Sequence, residues 1–201
     1  AKGLSGSGNT LPSFMAVFLS SLSFMLQIYL DFSAYTDMAI GIGEMVGFTI
    51  PENFHYPYEA KSVRDFWRRW HISLSLFFRD YIYIPLGGNR LSFPRRVLNL
   101  FLIWILTGMW HGASFNFILW GLFLFACMAI ERAFLGDILR AFPVLGHIYM
   151  IILIPINWVF FSITDLPSMG IFFKKLFPFL GKVGSASGKD FASYVTPYWI
   201  L

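Results

Sequence analysis

The stretch from Val97 to Ile130 reads VLNLFLIWILTGMWHGASFNFILWGLFLFACMAI, thirty-four residues without a lysine, arginine, aspartate or glutamate. As one helix it would be about 51 Å long, whereas the hydrocarbon core of a bilayer is about 30 Å thick. We therefore predict two membrane helices with a break near Thr107–Gly112, where two glycines flank a histidine. The stretch is typical of an all-α, polytopic membrane protein.

The composition of the whole chain agrees with that class. Hydrophobic residues make up 57% of the 201 positions and charged residues only 13%, which excludes an ordinary soluble domain and a disordered chain. The single cysteine, Cys127, excludes an intrachain disulfide and a cysteine-rich zinc site. Because the chain starts without methionine and stops inside an apolar run, we expect residues 1–201 to be one membrane-embedded fragment of a longer protein.

Three further apolar stretches predict membrane spans. The first runs from Phe14 to Leu30, the second from Met38 to Ile50 with polar residues inside it, and the third from Val144 to Ile163. Pro51 is expected to end the second helix, since proline cannot continue the helical hydrogen-bond ladder. Residues 181–190 are rich in glycine and serine and are predicted to be a linker.

A basic segment separates the second span from the third. Residues 61–96 contain eight lysines and arginines against two acidic residues, which predicts a cytoplasmic location. Aromatic residues recur there at helical spacing, which predicts an amphipathic interfacial helix over residues 62–79 with Ser62 as its N-cap. Residues 81–90 are predicted to be an extended stretch entering a tight turn. The neighbouring membrane spans argue against nucleic acid as the partner of this segment and favour membrane lipids, with the basic face towards the headgroups.

Two histidines are the candidate catalytic residues. His111 lies inside the charge-free stretch, where an ionisable side chain marks a candidate functional site. Burial should keep its imidazole neutral and able to accept a proton, and Thr107 or Ser114 could orient the ring. His71 falls on the apolar face of the predicted amphipathic helix, so it should point into the helix bundle. A packed structural histidine is the alternative at both positions, and neither has the spacing of a metal ligand.

Membrane carboxylates give an alternative of another class. Asp31, Asp37 and Glu44 could line an ion or proton path, as in a transporter. They could equally pair with Arg68 or Arg69 to hold the helices together. Gly43 and Gly47, four residues apart, suggest close helix packing rather than a nucleotide site.

Several motifs together resemble one enzyme family. They are FWRRWHISLS (66–75), FRDY (78–81), YIPLGGNR (83–90), LDFSAYTDMAIG (30–41), PENF (51–54) and TGMWHGA (107–113). They cover about residues 27–132 and resemble the membrane-bound O-acyltransferase family, in particular its bacterial branch that acetylates alginate and other exported polysaccharides. The relatives of this branch are longer than the present chain.

The resemblance implies a fold and a reaction. The fold would be part of a ring of helices around a funnel that thins the membrane. An activated acyl group, carried by a donor such as acetyl-CoA or an acyl carrier, would arrive from the cytoplasm. The acceptor would be an extracytoplasmic polysaccharide or a periplasmic or extracellular acyltransferase partner, and the membrane would be the bacterial cytoplasmic membrane.

The resemblance also assigns roles to the two histidines. His111 would be the catalytic general base, and His71 a second functional histidine beside the reaction channel. No bound cofactor and no metal are expected. D-alanyl transfer to teichoic acid by a related enzyme remains an alternative to acetyl transfer, and a proton- or ion-coupled transporter remains the alternative outside the enzymes.

Overall fold

A computed structural model describes residues 10–177, and these residues form helices joined by short turns. The eight α-helices are α1 (Thr10–Met45), α2 (Val63–Trp67), α3 (Ile72–Phe78), α4 (Phe93–His111), α5 (Phe115–Ile130), α6 (Gly136–Ala141), α7 (Pro143–Ser162) and α8 (Leu166–Leu176). Helix α4 packs on α5, α5 on α7, and α7 on α1, which also contacts α8. Three apolar helical stretches are long enough to cross a membrane: Val17–Met45, Phe115–Ala141 and Pro143–Ser162. The predicted all-α membrane architecture is confirmed.

The predicted break in the charge-free stretch is confirmed. Helix α4 ends at His111, Gly112 adopts a φ of 155°, and α5 begins at Phe115. The two helices then run back along each other at very short range. A Cβ atom on Gly108 would lie 2.5 Å from the carbonyl oxygen of Phe117, and one on Gly121 would collide with the carbonyl oxygen of Trp104. The missing side chains therefore allow the backbones to touch.

The prediction of two spans between residues 14 and 50 is wrong. Helix α1 continues without interruption from Thr10 to Met45, about 54 Å at helical rise. The polar residues between the two apolar stretches all tolerate helical geometry, and no proline interrupts them. The helix ends before Pro51: Phe48 N–H donates to the Gly43 carbonyl and Gly47 N–H to the Glu44 carbonyl. Gly47, with a φ of 86°, is thus the left-handed residue that terminates α1, and it makes no close helix contact.

No long loop separates α5 from α7. Helix α5 passes through a π-helical turn at Glu131–Leu135 directly into α6, and Phe142 alone separates α6 from α7. Pro143 is the first residue of α7, a position where its missing N–H is not needed. Pro155 lies inside α7 and is buried there without ending the helix. Lys174 and Lys175 occupy the last turn of α8, and residues 181–190 lie outside the described residues.

The amphipathic helix predicted over residues 62–79 is broken into two. Ser62 caps α2 as expected, since its hydroxyl oxygen accepts the Asp65 N–H at 3.1 Å. The chain then turns at His71, whose φ of 45° and ψ of 56° lie in the left-handed region, and restarts as α3. Residues 79–83 form a π-helical turn rather than an extended stretch, while Gly87 and Gly88 supply the predicted tight turn with positive φ.

The aromatic face of this segment packs into the helix bundle. Phe66 is fully buried, and Trp67 and Trp70 are also buried. Trp67 meets Trp120 of α5 edge-on at 5.6 Å, and Trp70 lies 4.9 Å from Trp158 of α7. The indole rings therefore join the basic segment to the long helices instead of anchoring it in lipid.

A buried carboxylate fixes the start of α2. Oε1 of Glu131 accepts the Val63 N–H at 2.6 Å, and Oε2 accepts the Arg64 N–H at 3.3 Å. Both donors belong to the first turn of α2, where backbone N–H groups have no partner within the helix. Glu131, from the π-helical turn after α5, is itself buried.

We expect Glu131→Ala to destabilise the full-length protein, because it leaves these two N–H groups without an acceptor. The cost should be about 1–3 kcal/mol. A thermal unfolding measurement in detergent checks this, with Glu131→Gln as the conservative variant, because one amide oxygen is retained. An Ala variant as stable as wild type would contradict the capping role.

Candidate active site

His111 is the last residue of α4, beside the break at Gly112. Aromatic rings surround it: Trp120 and Phe161 meet it edge-on at 4.9 Å and 5.2 Å, and the Phe117 ring lies tilted at 6.2 Å. Neither Thr107 nor Ser114 orients the ring as predicted: the Thr107 hydroxyl donates to the Ile103 carbonyl at 2.8 Å, and Ser114 makes no hydrogen bond to His111 among the described residues. Within residues 10–177 the His111 ring has no hydrogen-bond partner, so aromatic packing alone sets its orientation.

His71 is positioned differently, by a polar contact with Asn53 in the loop after α1. Its Nδ1 lies 3.3 Å from Oδ1 of Asn53 and 3.4 Å from Oγ of Ser73. The same Asn53 oxygen accepts the Ser73 backbone N–H at 3.0 Å, and the Asn53 carbonyl accepts the Ile72 N–H at 3.0 Å. These contacts therefore connect residues 53–54 to residues 70–73 around the imidazole.

The backbone of His71 is strained. Only a few per cent of non-glycine residues have positive φ, and such residues persist where the surrounding structure imposes them. Here the bridge between Phe54 and Trp70 fixes the preceding residue, and the Asn53 contacts fix the following ones. With the backbone in this left-handed conformation, the His71 ring lies towards α1 and α4, where it meets Phe32 at 4.9 Å and Trp110 at 5.9 Å.

One residue, Trp110, contacts both histidines. Trp110 contacts His71 at a centroid distance of 5.9 Å and His111 at 4.9 Å. Both histidines are partly exposed, and Trp110 itself is exposed. The structure thus brings together two histidines that are forty positions apart in the sequence, each with part of its ring accessible.

Burial also sets the charge of His71. Loss of water around the ring lowers its pKa to about 4, because the protonated form is the more costly to desolvate. The imidazole is therefore neutral at pH 7. A neutral ring has one nitrogen that carries a proton and one that can accept a hydrogen bond or a proton.

The carboxylates that suggested a transporter lie elsewhere. Asp31, Asp37 and Glu44 are exposed on α1. The expected pairing with Arg69 is not found, since Arg69 pairs with Asp65 at 3.1 Å and with Glu59 at 4.0 Å. Residues 10–177 contain no cluster of three histidine, cysteine or acidic side chains that could hold a metal ion.

Asn53 is the site residue that sequence reasoning missed. The PENF motif was noticed only as part of a resemblance and as the end of a helix, and nothing in the spacing of residues 53 and 71 indicates a contact. The contact depends on how the turn after α1 folds back onto the α2–α3 connection. The available signal was an asparagine in a loop, because such side chains commonly form hydrogen bonds to nearby backbone.

The fold and the site together define a class of protein. It is a helical membrane protein with two partly exposed histidines, which pack against aromatic rings beside a helix break. A sequence comparison then identifies the family: residues 7–173 match MBOAT, the membrane-bound O-acyltransferase family. The chain belongs to this family, as the motifs in residues 27–132 predicted.

Three relatives show what the chain is similar to. It is 44% identical over 169 residues to the probable alginate O-acetylase AlgI of Pseudomonas aeruginosa, a match covering 84% of this chain and 32% of that protein. It is 43% identical over 164 residues to the peptidoglycan O-acetyltransferase of Helicobacter pylori (79% and 31%). It is 35% identical over 109 residues to the teichoic acid D-alanyltransferase of Bacillus subtilis (50% and 27%). The chain thus spans about a third of the length of these relatives.

Proposed function

We propose that the protein to which this chain belongs is an O-acetyltransferase that acylates hydroxyl groups of an extracytoplasmic polysaccharide, with His111 as general base. The observation that carries the proposal is the pair of histidines on Trp110, in a chain of the acyltransferase family. Acetyl is favoured over alanyl because the matches to the O-acetylating relatives cover 84% and 79% of the chain, against 50% for the D-alanyltransferase.

His111 suits the base role for a chemical reason. Its ring nitrogens have no hydrogen-bond partner in residues 10–177, so a free lone pair is available to an incoming hydroxyl. As the imidazole takes the hydroxyl proton, the acceptor oxygen bonds to the acyl carbon of a thioester donor. The carbon–sulfur bond then breaks, and the leaving thiolate takes the proton from the imidazolium. His71 would hold the donor or the intermediate beside this reaction.

The location of the reactants follows from the charge distribution. The basic segment 61–96 would face the cytoplasm, where a donor such as acetyl-CoA or an acyl carrier is available. The acceptor, a polysaccharide or a partner acyltransferase that passes the group on, would approach from outside. The membrane would be the bacterial cytoplasmic membrane.

The acyl group can be identified directly. A strain lacking the full-length gene is complemented with wild type, and base-labile esters on the exported polysaccharides are measured by mass spectrometry. We expect an acetyl ester that disappears with the gene and returns with the complementing copy. An alanyl ester would establish the D-alanyl alternative, and esters that are indifferent to the gene would contradict acyl transfer.

A further inference from the structure

We infer that Asn53 is a positioning residue for the transferase reaction, which holds neutral His71 in the tautomer with the proton on Nδ1 and the lone pair on Nε2. The inference deepens the proposed function, since it concerns the role of His71 in that site. It follows from the hydrogen bonds around one oxygen atom.

The hydrogen bonds of Asn53 distinguish its amide oxygen from its amide nitrogen. The atom that lies 3.0 Å from the Ser73 backbone nitrogen must be an acceptor, because a backbone N–H can only donate. Oxygen, not nitrogen, therefore occupies this position. The Ser73 hydroxyl donates to the same oxygen at 2.9 Å, which supports the assignment.

The position of the Asn53 oxygen determines which nitrogen of His71 carries the proton. An amide oxygen has no proton to give, so a contact of 3.3 Å between Asn53 Oδ1 and His71 Nδ1 is a hydrogen bond only if Nδ1 carries the proton. In a neutral ring Nε2 is then unprotonated. Nδ1 faces Asn53, whereas Nε2 makes no hydrogen bond to any of the described residues.

The groups around the His71 ring could change its protonation state only if they carried a charge. The ring faces Asn53 from the loop after α1, Ser73 from α3, Phe32 from α1 and Trp110 from α4. None of these carries a charge near pH 7. His111, whose ring packs on the same Trp110, is the titratable neighbour among the described residues. Asn53 therefore selects the tautomer without charging the ring, which an aspartate at the same position would not do.

The test compares Asn53→Ala and Asn53→Asp in the full-length protein, with Asn89→Ala as the control. Asn89 is an exposed asparagine whose side-chain oxygen accepts hydrogen bonds from Tyr83 and Arg132, and among the described residues it makes no hydrogen bond to either histidine. We expect Asn53→Ala to lower kcat/KM roughly tenfold, the scale of one lost hydrogen bond. Asn53→Asp should keep the acceptor and recover activity at alkaline pH, but move the acid limb of the pH profile upwards, since a carboxylate favours the imidazolium.

A spectroscopic readout separates this inference from the proposed function. In protein labelled with ¹⁵N-histidine, the His71 signal, assigned by its loss in His71→Gln, should show protonated Nδ1 in wild type and a mixture of tautomers in Asn53→Ala. Protonated Nε2 in the wild type would overturn the inference whatever the enzyme acylates. Equal activity losses in both Asn53 variants with an unmoved pH profile would also overturn it. A normal tautomer together with an active His71→Gln enzyme would contradict the proposed role of His71 and leave the Asn53 assignment intact.

Discussion

Replacing His111 with alanine in the full-length protein is expected to lower ester formation by about 100- to 10,000-fold, the range that general bases contribute. The alanine removes the ring that would accept the hydroxyl proton, and no other described histidine contacts Trp120 or Phe161. The measurement is base-labile ester on exported polysaccharide, quantified by mass spectrometry at matched protein abundance in the membrane.

The control for this prediction is His55→Ala. His55 is an exposed histidine in the loop after α1, and among the described residues the one aromatic ring that meets its imidazole is that of the neighbouring Tyr56. Its backbone N–H, which donates to the Arg69 carbonyl, is untouched by the change. We expect wild-type activity from His55→Ala. If His111→Ala retained full activity in a strain that needs the gene for its esters, His111 would not be the base.

The second large effect is on folding. Gly121→Ala should strongly reduce the yield of folded full-length protein, because the new Cβ would overlap the backbone carbonyl of Trp104 on the facing helix. Backbone cannot rotate away as a side chain can, so α4 and α5 would have to separate. Overpacking of this kind typically costs about 1–3 kcal/mol and occasionally more. Fluorescence-detected size-exclusion chromatography after a heating series measures the loss.

Gly41→Ala is the matched control. Gly41 also lies inside a long helix, but a Cβ there would meet nothing within 4 Å. Alanine is the better helix former, so this variant should be as stable as wild type or more so. If Gly121→Ala and Gly41→Ala melted alike, close approach of α4 and α5 would not contribute to stability. The α4–α5 pair positions His111, so an intermediate loss should also reduce activity.

Parts of the site were predictable from sequence because their causes are local. A charge-free stretch too long for one crossing, with two glycines in its middle, forces a helix pair, and His111 sits at the predicted break. Ser62 caps α2 because the cap and its N–H partner are three residues apart. The orientation of His111 was predicted wrongly, since it depends on Trp120 and Phe161 from other helices.

The sequence by itself determined the class of this protein: its apolar content requires a bilayer, its motifs mark the acyltransferase family, and His111 stands out as an ionisable group among apolar residues. Tertiary structure alone decided that Trp110 joins the two histidines and that Asn53 holds His71. The reason is physical: composition and periodicity act through neighbours along the chain, whereas these contacts form between segments that only folding brings together. The left-handed backbone of His71 belongs to the second group, because its strain exists only while residues 53–54 hold it.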